Sequence, residues 1–480
     1  MSFQAPPTLL TLGLQSLLRD QALAISALKE LPGELFPPLM KAVVAGRHLT
    51  ILQAMVAAWP FPCLPMGALV KFPDVTTLQA VLAGVDMQLT GIFRQRKRKL
   101  QVLDLSNVHH DFWDVWAGTE DGARSAEMVR EKQRGTGLHR YALRRRLKVV
   151  TNLCFGLCLD EHHEYLLQWA QERRGSLQLY CRKMHISPLS MYTVRKVLKI
   201  FQPECIEELV LNGGWTLPTL TSFAPCLGQM RNLRKFFLTI MHDDRSDPDN
   251  TLTDAQRKKV TKFKSQFSKL NCLQHLSMSG VYFLSGHMKQ LLWCLKTPLE
   301  FLSISFCSFS QADLESFAQC HRLHHLKHLQ LGGVILSELS LVSLRIFLEN
   351  VPDTLQILEL EGCRMKDSQI SSLFPALSQC SQLTRVNFYD NDFSMAVLKD
   401  LLYHTANLSH MAQGFYPAPL ECYVMGQATF ERFNQLCSEL RNTLCTVRQH
   451  RSISIATQLC LVHCPHCDST RWTRFYHSWQ

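Results

Sequence analysis

The chain has 480 residues, of which 46% are hydrophobic and 19% are charged, and its formal net charge is +11. This composition is typical of a folded protein and not of a disordered one. The sequence contains no run of about twenty apolar residues, so it predicts no membrane-spanning helix. The N-terminus lacks the positively charged start of a secretory signal. We therefore expect a cytoplasmic protein whose 18 cysteines are reduced.

Residues 1–99 predict short helices interrupted by prolines, at 9–28, 35–45, 48–59 and 76–89. Apolar residues recur there at helical spacing, and prolines separate one helical stretch from the next. A stack of repeats needs a terminal unit with a polar outer face, because its inner face would otherwise be exposed. Capping of a following repeat domain is therefore enough to explain this segment.

Two short motifs within this segment resemble the sequences by which receptors of ubiquitin ligases bind elongin C and a cullin. Each motif consists of apolar residues on helices, and such residues more often form the core face of a helix. The elongin motif prefers a cysteine at the position of Gln21. The matching residues are Ser16, Leu17 and Ile25 for elongin C, and Leu31, Pro32, Leu35 and Leu39 for the cullin.

Two basic clusters follow, R-Q-R-K-R-K at 94–99 and R-R-R-L-K at 144–148. Such clusters can act as nuclear-import signals or attract nucleic acid and anionic membranes. They are also typical of a solvated linker, and no aromatic residues alternate with the basic ones to stack on bases. We therefore expect no binding to nucleic acid or to membranes, and nuclear entry is the alternative to a purely cytoplasmic location.

A pattern of large apolar residues repeats along the second half of the chain. The segment L-E-F-L-S-I-S-F-C-S-F at 299–309 returns as L-Q-I-L-E-L-E-G-C-R-M at 355–365, and further copies begin at 273, 326 and 383. Apolar residues occupy positions 1, 4, 6 and 11 of the copies, and Cys or Asn occupies position 9 in three of them. Steps of 26 to 29 residues between copies are the signature of the leucine-rich repeat.

The spacing within each copy predicts a strand. Positions 4 and 6 alternate with their neighbours, so their side chains point to one face of the sheet. One strand cannot bury that face alone, and stacked copies bury a common core. At position 9, Cys307, Cys363 and Asn391 are expected to bond to backbone groups where the chain leaves the strand. Apolar residues at helical spacing follow and predict helices on the opposite side.

The predicted fold is an α/β leucine-rich-repeat solenoid, a horseshoe of about nine repeats with a helical N-terminal cap. The cap is residues 1–99, the solenoid is residues 100–411, and a C-terminal cap with a cysteine-rich tail is residues 412–480. We expect the solenoid to be irregular at 106–175 and to carry an inserted polar loop at 242–259.

The side chains that alternate with the core positions are expected to line the concave side of the horseshoe, and we call this surface the strand face. Adjacent strands place these side chains in rows about 5 Å apart. Their mixture of aromatic and polar groups is typical of a protein-binding surface. The strand face consists of Lys235, Phe237, His275, Ser277, Phe301, Ser303, His328, Gln330, Ile357, Glu359, Arg385 and Asn387.

The cysteine-rich tail contains a C-P-H-C knuckle, in which Cys464 and Cys467 could supply two zinc ligands. No second knuckle follows at finger spacing, so a turn that caps the last repeat is the stronger interpretation and no cofactor is expected. The sequence contains no phosphate-binding loop, nucleophile elbow or zinc-protease motif. We therefore expect a protein without an active site of its own.

Several longer motifs are more specific than these patterns. They include Q-S-L-L-R-D-Q-A-L-A-I-S-A-L-K-E-L-P-G-E-L-F-P-P-L, A-W-P-F-P-C-L-P, L-Q-V-L-D-L and D-F-W-D-V-W-A-G in the N-terminal part, and F-A-P-C-L-G-Q-M-R-N-L-R-K, Y-P-A-P-L-E-C-Y and C-P-H-C further on. Together they resemble the PRAME family, from residue 2 to residue 467. The resemblance implies a leucine-rich-repeat receptor subunit of a cullin-2 RING ubiquitin ligase, with elongin B, elongin C and a RING subunit as partners.

The resemblance also implies a division of labour within the chain. The strand face would select protein substrates for proteasomal degradation, and the N-terminal helices would dock the ligase. Negative regulation of transcription, differentiation and apoptosis, and promotion of proliferation, are implied downstream. The alternative is a non-catalytic nuclear scaffold that represses transcription through the strand face without a ligase. A third class, a zinc-dependent nucleic-acid binder, would require stoichiometric metal.

Overall fold

The computed structural model of the chain describes residues 8–70, 74–90, 100–106, 113, 146–156, 160–187, 191–240, 253–406, 408–424, 427–446, 452–457 and 476–479. The chain forms two compact units, Met1–Ile206 and Glu207–Gln480. The basic residues at 94–99, the start of the expected loop at 242–252, and the tail residues Cys464 and Cys467 lie outside the described residues.

Three of the described helices of the first unit begin at a side-chain cap, namely Thr8, Asp20 and Asp74. Asp20 accepts a hydrogen bond from the Leu23 N–H at 3.0 Å and starts a new helix, so the single helix predicted at 9–28 is wrong and two helices stand there. The other three predicted helices of residues 1–99 lie where the sequence predicts them, and a short helix at Met66–Leu69 was not predicted. The helices are α1 (Leu9–Leu18), α2 (Gln21–Ala27), α3 (Phe36–Ala45), α4 (Leu49–Ala57), α5 (Met66–Leu69), α6 (Val75–Leu89), α7 (Glu161–Glu172) and α8 (Met191–Leu198).

In the described part of the first unit, four parallel strands pair in chain order. A short strand at Val102–Asp104 lies at the start of the region predicted as the solenoid. A long strand, Leu147–Phe155, also occupies part of the region expected to be irregular at 106–175, and most of its residues are buried. The strands are β1 (Cys63–Pro65), β2 (Val102–Asp104), β3 (Leu147–Phe155) and β4 (Leu177–Ile186).

A two-point ion pair joins helices α6 and α7 of the first unit. The guanidinium of Arg173 donates to both carboxylate oxygens of Asp86, at 2.6 and 2.9 Å. The indole of Trp169 donates to the same carboxylate at 3.1 Å. Because the bidentate pair fixes both side chains, it holds the C-terminal end of α7 against α6.

The second unit repeats a strand followed by a helix, and nine of its described strands pair in parallel. The predicted α/β class with a long parallel sheet is therefore confirmed. The parallel strands are β5 (Glu208–Leu211), β6 (Lys235–Thr239), β7 (His275–Ser279), β8 (Phe301–Ser305), β9 (His328–Gln330), β10 (Ile357–Glu359), β11 (Arg385–Asn387), β12 (Gln413–Pro417) and β15 (Ser452–Ala456).

The remaining elements of the second unit lie beside these strands or follow them. Strand β16 (Tyr476–Trp479) pairs antiparallel with β15, and β13 (Tyr423–Val424) forms a small hairpin with β14 (Gln427–Ala428). None of the described helices in either unit is both long enough and apolar enough to cross a membrane. The helices are α9 (Leu217–Leu227), α10 (Asp254–Lys264), α11 (Met288–Trp293), α12 (Gln311–Gln319), α13 (Val342–Glu349), α14 (Asp367–Leu377), α15 (Met395–Ala406) and α16 (Phe430–Thr446).

The core of the second unit is a ladder of inward side chains. Leu302 pairs in register with Leu329, which pairs with Leu358, and Leu358 pairs with Val386. All four side chains are 0% exposed. The prediction that position 4 of each copy faces a common interior is therefore confirmed.

The turn that leaves each strand has a recurring backbone conformation. At position 8 of the five copies, and at Gly213 in the turn after β5, φ is positive, a region in which a side chain is strained and glycine is not. At Gly280 an added Cβ would also lie 2.2 Å from the carbonyl oxygen of Ile240. The six residues are Gly213 (84°), Gly280 (69°), Phe306 (51°), Gly333 (67°), Gly362 (67°) and Asp390 (55°).

The residue at position 9 satisfies the backbone of this turn, as predicted. The side-chain amide of Asn391 donates to the carbonyl oxygens of Leu360 and Phe388 at 2.8 and 2.9 Å. Its Oδ1 accepts from the Met365 N–H at 2.9 Å. The Cys363 thiol donates to a carbonyl oxygen of the preceding copy at 2.8 Å. Burial raises the pKa of Cys363 well above its usual range, so this thiol stays protonated as a donor.

Part of the expected inserted loop is helical. Residues 254–259 begin helix α10, so the prediction of a loop is wrong there. The helix starts at a capping box in which Thr253 and Gln256 each bond to the other's backbone. Only Val260, Phe263 and Lys264 of this helix are buried, which is why its sequence reads as a polar run.

Candidate protein-binding surface

The register of the parallel strands arranges the strand face in two rows. Corresponding residues of neighbouring strands are paired directly, so each row runs across six consecutive strands, β6 to β11. One row is Lys235, His275, Phe301, His328, Ile357 and Arg385; the other is Phe237, Ser277, Ser303, Gln330, Glu359 and Asn387.

Ten of these twelve side chains are half-buried and reach the surface. Ser303 and Asn387 are 4% and 7% exposed, so the prediction that they are exposed is wrong. The Ser303 hydroxyl donates to the side chain of Gln330 at 2.8 Å. The Asn387 amide donates to Glu361 at 2.9 Å. These longer side chains cover the shorter ones, so Gln330 and Glu361 present the polar groups at those places.

Aromatic side chains form the middle of the first row. The His275 ring stacks on Phe301 with ring centroids 5.6 Å apart, and His328 meets the other side of Phe301 edge-on at 4.6 Å. Burial, and then the neighbouring Lys235, lower the pKa of His275 below its usual range. The His275 ring is therefore neutral near pH 7, and this part of the strand face offers an uncharged aromatic surface.

A charged group lies beside the aromatic row. One carboxylate oxygen of Glu359 is 3.2 Å from the Arg385 guanidinium, and the other is 3.7 Å from Nε2 of His328. The guanidinium also lies 5.0 Å from the centre of the Phe415 ring. The interaction with His328, and in addition the charge of Arg385, lower the pKa of Glu359 against the opposing effect of burial. The carboxylate is therefore held ionised between its two partners.

The Glu359 pair gives the fold a dependence on pH. Because the folded-state pKa lies below the ordinary value of 4.5, the carboxylate contributes stability above that pH and loses it as pH falls through the folded pKa. We expect Glu359→Gln to lower the free energy of unfolding by about 1–2 kcal/mol at neutral pH. The difference in free energy of unfolding between wild type and variant should shrink towards zero in acid. Urea denaturation at neutral and at acidic pH would measure it.

A matched variant is Glu300→Gln. Glu300 pairs with Lys327 at 2.9 Å, and its side chain is 37% exposed, whereas that of Glu359 is 12% exposed. An exposed pair contributes less to stability, so its loss should cost less at neutral pH. A Glu359→Gln deficit that stays constant or grows as the pH falls would contradict the assignment of the ionised carboxylate.

The elongin motif lies on two helices and not on one. Ser16 and Leu17 are on α1, whereas Ile25 is on α2, beyond the cap at Asp20. Ser16 is exposed, and Leu17 and Ile25 are half-buried. Helix α1 has no buried residue, although it is rich in leucine. The most exposed of these side chains are Leu9 (89%), Leu10 (42%) and Leu12 (47%).

The cullin motif is divided between surface and core. Pro32 is exposed, and Leu31 and Leu35 are half-buried. Leu39 is 0% exposed within α3, so this predicted contact residue belongs to the core and is not available to a partner in this structure. The surface that the motif offers is therefore the turn before α3.

Sequence reasoning missed residues that extend the strand face beyond β11. Phe415 lies on β12 in register with Asn387. Ser454 lies on β15, and Tyr389 donates to its hydroxyl at 2.7 Å. The alternating segment S-I-S-I-A at 452–456 is a strand signal that could have identified β15.

The sequence matches two models of known protein domains. These are the PRAME N-terminal domain over residues 6–113 and the PRAME C-terminal domain over residues 147–476. The chain belongs to the PRAME family. The resemblance predicted from the sequence motifs is therefore confirmed.

PRAME-family relatives align along nearly the whole chain. Human PRAME family member 12 is 43% identical over 469 residues, which cover 97% of this chain and 95% of that protein. Human PRAME family member 20 is 42% identical over 473 residues, which cover 98% and 97%. Mouse preferentially expressed antigen in melanoma-like protein 7 is 40% identical over 459 residues, which cover 95% of each chain. Both units of the structure are thus shared with these relatives.

Proposed function

We propose that this PRAME-family chain is the substrate-recognition subunit of a cullin-2 RING ubiquitin ligase. In this proposal the second unit is a leucine-rich-repeat horseshoe and the N-terminal helices are its cap. The strand face binds target proteins for ubiquitin-dependent proteasomal degradation. The observation that carries this function is the alignment of the strand face into two rows of aromatic, charged and amide side chains on consecutive strands.

The strand face has the chemistry of a site for a protein. The neutral aromatic group around Phe301 can bury an apolar side chain of a partner, and Gln330 and Glu361 can hydrogen-bond to polar groups around it. The Glu359 carboxylate is already paired with Arg385 at 3.2 Å, so the side chains are fixed before a partner arrives. Preorganised side chains lose less entropy on binding.

The N-terminal helices are proposed to dock the ligase. The exposed leucines of α1 and the exposed Pro32 support contacts with elongin C and cullin-2, with elongin B and the RING subunit joining through them. The chain itself supplies no catalytic group in this proposal. It accelerates ubiquitin transfer by holding a substrate lysine near a ubiquitin-charged enzyme, which converts an encounter in solution into a reaction within one assembly.

The downstream effects belong to the same proposal. Degradation of selected targets would regulate transcription, differentiation and apoptosis negatively and would promote proliferation. The complex would act in the cytoplasm and also in the nucleus. A scaffold that represses transcription without a ligase is the competing outcome, and the basic residues at 94–99 and 144–148 would then be required for its entry into the nucleus.

A pair of charge substitutions tests the elongin contact. Ser16→Arg places a charge inside the motif at an exposed position, and Gln15→Arg places the same charge at an exposed neighbour outside it. We expect Ser16→Arg to lower recovery of elongin C with the full-length chain about tenfold or more, as loss of a central contact would. Gln15→Arg should recover as much as wild type.

An equivalent pair of charge substitutions tests the cullin contact. Pro32→Arg changes an exposed motif residue, and Glu30→Arg changes an exposed residue just before the motif. Affinity purification followed by mass spectrometry would report cullin-2, the elongins and bound substrates together. Equal recovery of ligase subunits from wild type, Ser16→Arg and Pro32→Arg would refute these docking contacts. Recovery of no ligase subunit from wild type would refute the ligase and favour the scaffold.

A further inference from the structure

Three potential metal ligands meet in the first unit, where the chain enters α7. Asp160 precedes the helix, and His162 and His163 are in its first turn. Their ligand atoms all lie within 4.8 Å of one another. His163 is 7% exposed, and its Nδ1 is buried without a hydrogen-bond partner among the described residues. Buried polar atoms in folded proteins have partners, so this atom requires an explanation.

We propose that Asp160, His162 and His163 bind a zinc ion, with water in the fourth coordination position. Two imidazoles and one carboxylate are ligands that zinc prefers, and three protein ligands with one open position are a common zinc arrangement. This inference does not rest on the proposed ligase function, because none of these residues belongs to the strand face or to the N-terminal motifs.

The protonation pattern of His163 favours a cation. Its Nε2 lies 3.3 Å from the main-chain carbonyl oxygen of Asn152. A carbonyl oxygen can only accept, so Nε2 carries the proton and Nδ1 presents a lone pair. That lone pair faces a carboxylate oxygen of Asp160. Two acceptors that face each other repel, and a metal ion between them would turn the repulsion into two bonds.

The distance between these two acceptors fits zinc. Nδ1 of His163 and Oδ2 of Asp160 are 3.6 Å apart, which is longer than a hydrogen bond. Tetrahedral zinc with bonds of about 2.1 Å separates neighbouring ligand atoms by about 3.4 Å. The bond from Nε2 to the backbone is the outer contact that typically orients a zinc-binding histidine. His162 is half-buried, and its ring lies 3.9 Å from that of His163, so it is placed to supply the third ligand.

The Asp160 carboxylate is directed to this site and not to its own helix. Asp20 and Asp74 occupy the same position before α2 and α6, and each caps its helix by accepting a backbone N–H. Asp160 makes no such side-chain bond to the described backbone of α7. A capping bond is stabilising, so its absence is consistent with a carboxylate that serves another partner.

A cavity supplies the open coordination position. It has a volume of about 180 Å³ and is lined by His162, His163 and Asn152 together with apolar side chains such as Met66 and Leu78. The side-chain oxygen of Asn152 is buried and has no partner in the described part of the chain. The cavity is large enough for a water, and a water beside the polar groups of His162, His163 and Asn152 would satisfy that oxygen. The cavity could therefore hold the water that completes the coordination of zinc.

Zinc titration of the full-length chain tests the site. The two possible zinc ligands of the tail are first removed by Cys464→Ser with Cys467→Ser, so that thiolates there cannot bind the metal. In this background we expect one zinc ion per chain by competition with a chromogenic chelator. Asp160→Asn and His162→Ala should each weaken binding about tenfold or more, and His163→Gln should abolish it. Cobalt in place of zinc should give a visible spectrum without thiolate charge-transfer bands.

The chain offers a matched control in a second histidine pair. His324 and His325 are also adjacent, but Arg322 stands where Asp160 stands in the first pair. The double variant His324→Ala with His325→Ala should bind zinc as the background protein does. His163 is buried and its replacement can disturb folding, whereas Asp160 is exposed and His162 half-buried. If folded Asp160→Asn and His162→Ala proteins bind zinc unchanged, or if the background protein binds none, the proposal is wrong.

Discussion

Replacing Asn391 by alanine should lower the free energy of unfolding by about 3 kcal/mol or more. The side chain is 1% exposed and makes three short hydrogen bonds to the backbone, at 2.8, 2.9 and 2.9 Å. Its removal leaves those backbone groups buried without partners, and each such group costs about 1–3 kcal/mol. Urea denaturation followed by circular dichroism would show a lower midpoint with an unchanged slope.

A second substitution at this position separates hydrogen bonding from packing. Cysteine occupies position 9 in the copies that contain Cys307 and Cys363, so Asn391→Cys introduces a side chain that the turn accepts elsewhere. A thiol is a weaker donor and acceptor than an amide. We expect Asn391→Cys to lie between wild type and Asn391→Ala in stability. An Asn391→Ala protein as stable as wild type would show that the turn does not depend on this side chain.

The repeat was predictable because two of its determinants are visible in the sequence. The inward residues, such as Leu302 and Leu358, recur at a fixed spacing, and the turn residue at position 9 is a short polar or thiol side chain. Together they define the strand, its inward face and its register with the next copy. The two rows of the strand face follow from that register, which is why residues far apart in sequence, such as His275 and Arg385, could be placed together.

The conformation at position 8 could not be read with the same certainty. Glycine marks it at Gly280, Gly333 and Gly362, but Phe306 adopts the same positive φ of 51°. A bulky side chain gives no sign of a left-handed conformation, because the surrounding copies impose it. The helix at Asp254–Lys264 was missed for a different reason. Its capping box is local and visible, but its mostly polar sequence hides the helical period.

The candidate site also combines features that the sequence shows with features that depend on packing. The face of the strand on which a residue lies follows from alternation. The burial of Ser303 and Asn387, however, depends on Gln330 and Glu361 of neighbouring copies. The histidine pair in the first turn of α7 is visible in the sequence, whereas the orientation of Asp160 and the contact of His163 with Asn152 arise only from the packing of α7 beside β3. Contacts between separate elements are what one sequence leaves open.

Leu358→Ala and Ile357→Ala test the inward and outward faces of one strand with nearly the same chemical change. Leu358 is 0% exposed and pairs with Leu329 and Val386 in the core. Its truncation leaves a cavity in the stack, and we expect a loss of about 3–4 kcal/mol in the free energy of unfolding.

Ile357 is half-buried on the strand face between His328 and Arg385, so its truncation should cost about 1 kcal/mol or less. The binding of partner proteins, in contrast to stability, should depend on Ile357. Ile357→Ala should weaken capture of proteins by the strand face while the fold stays intact, because the lost methyl groups are those that a partner would cover. Equal losses of stability from the two variants would mean that the strand does not separate a core face from a binding face, and both the register and the function built on it would fail together.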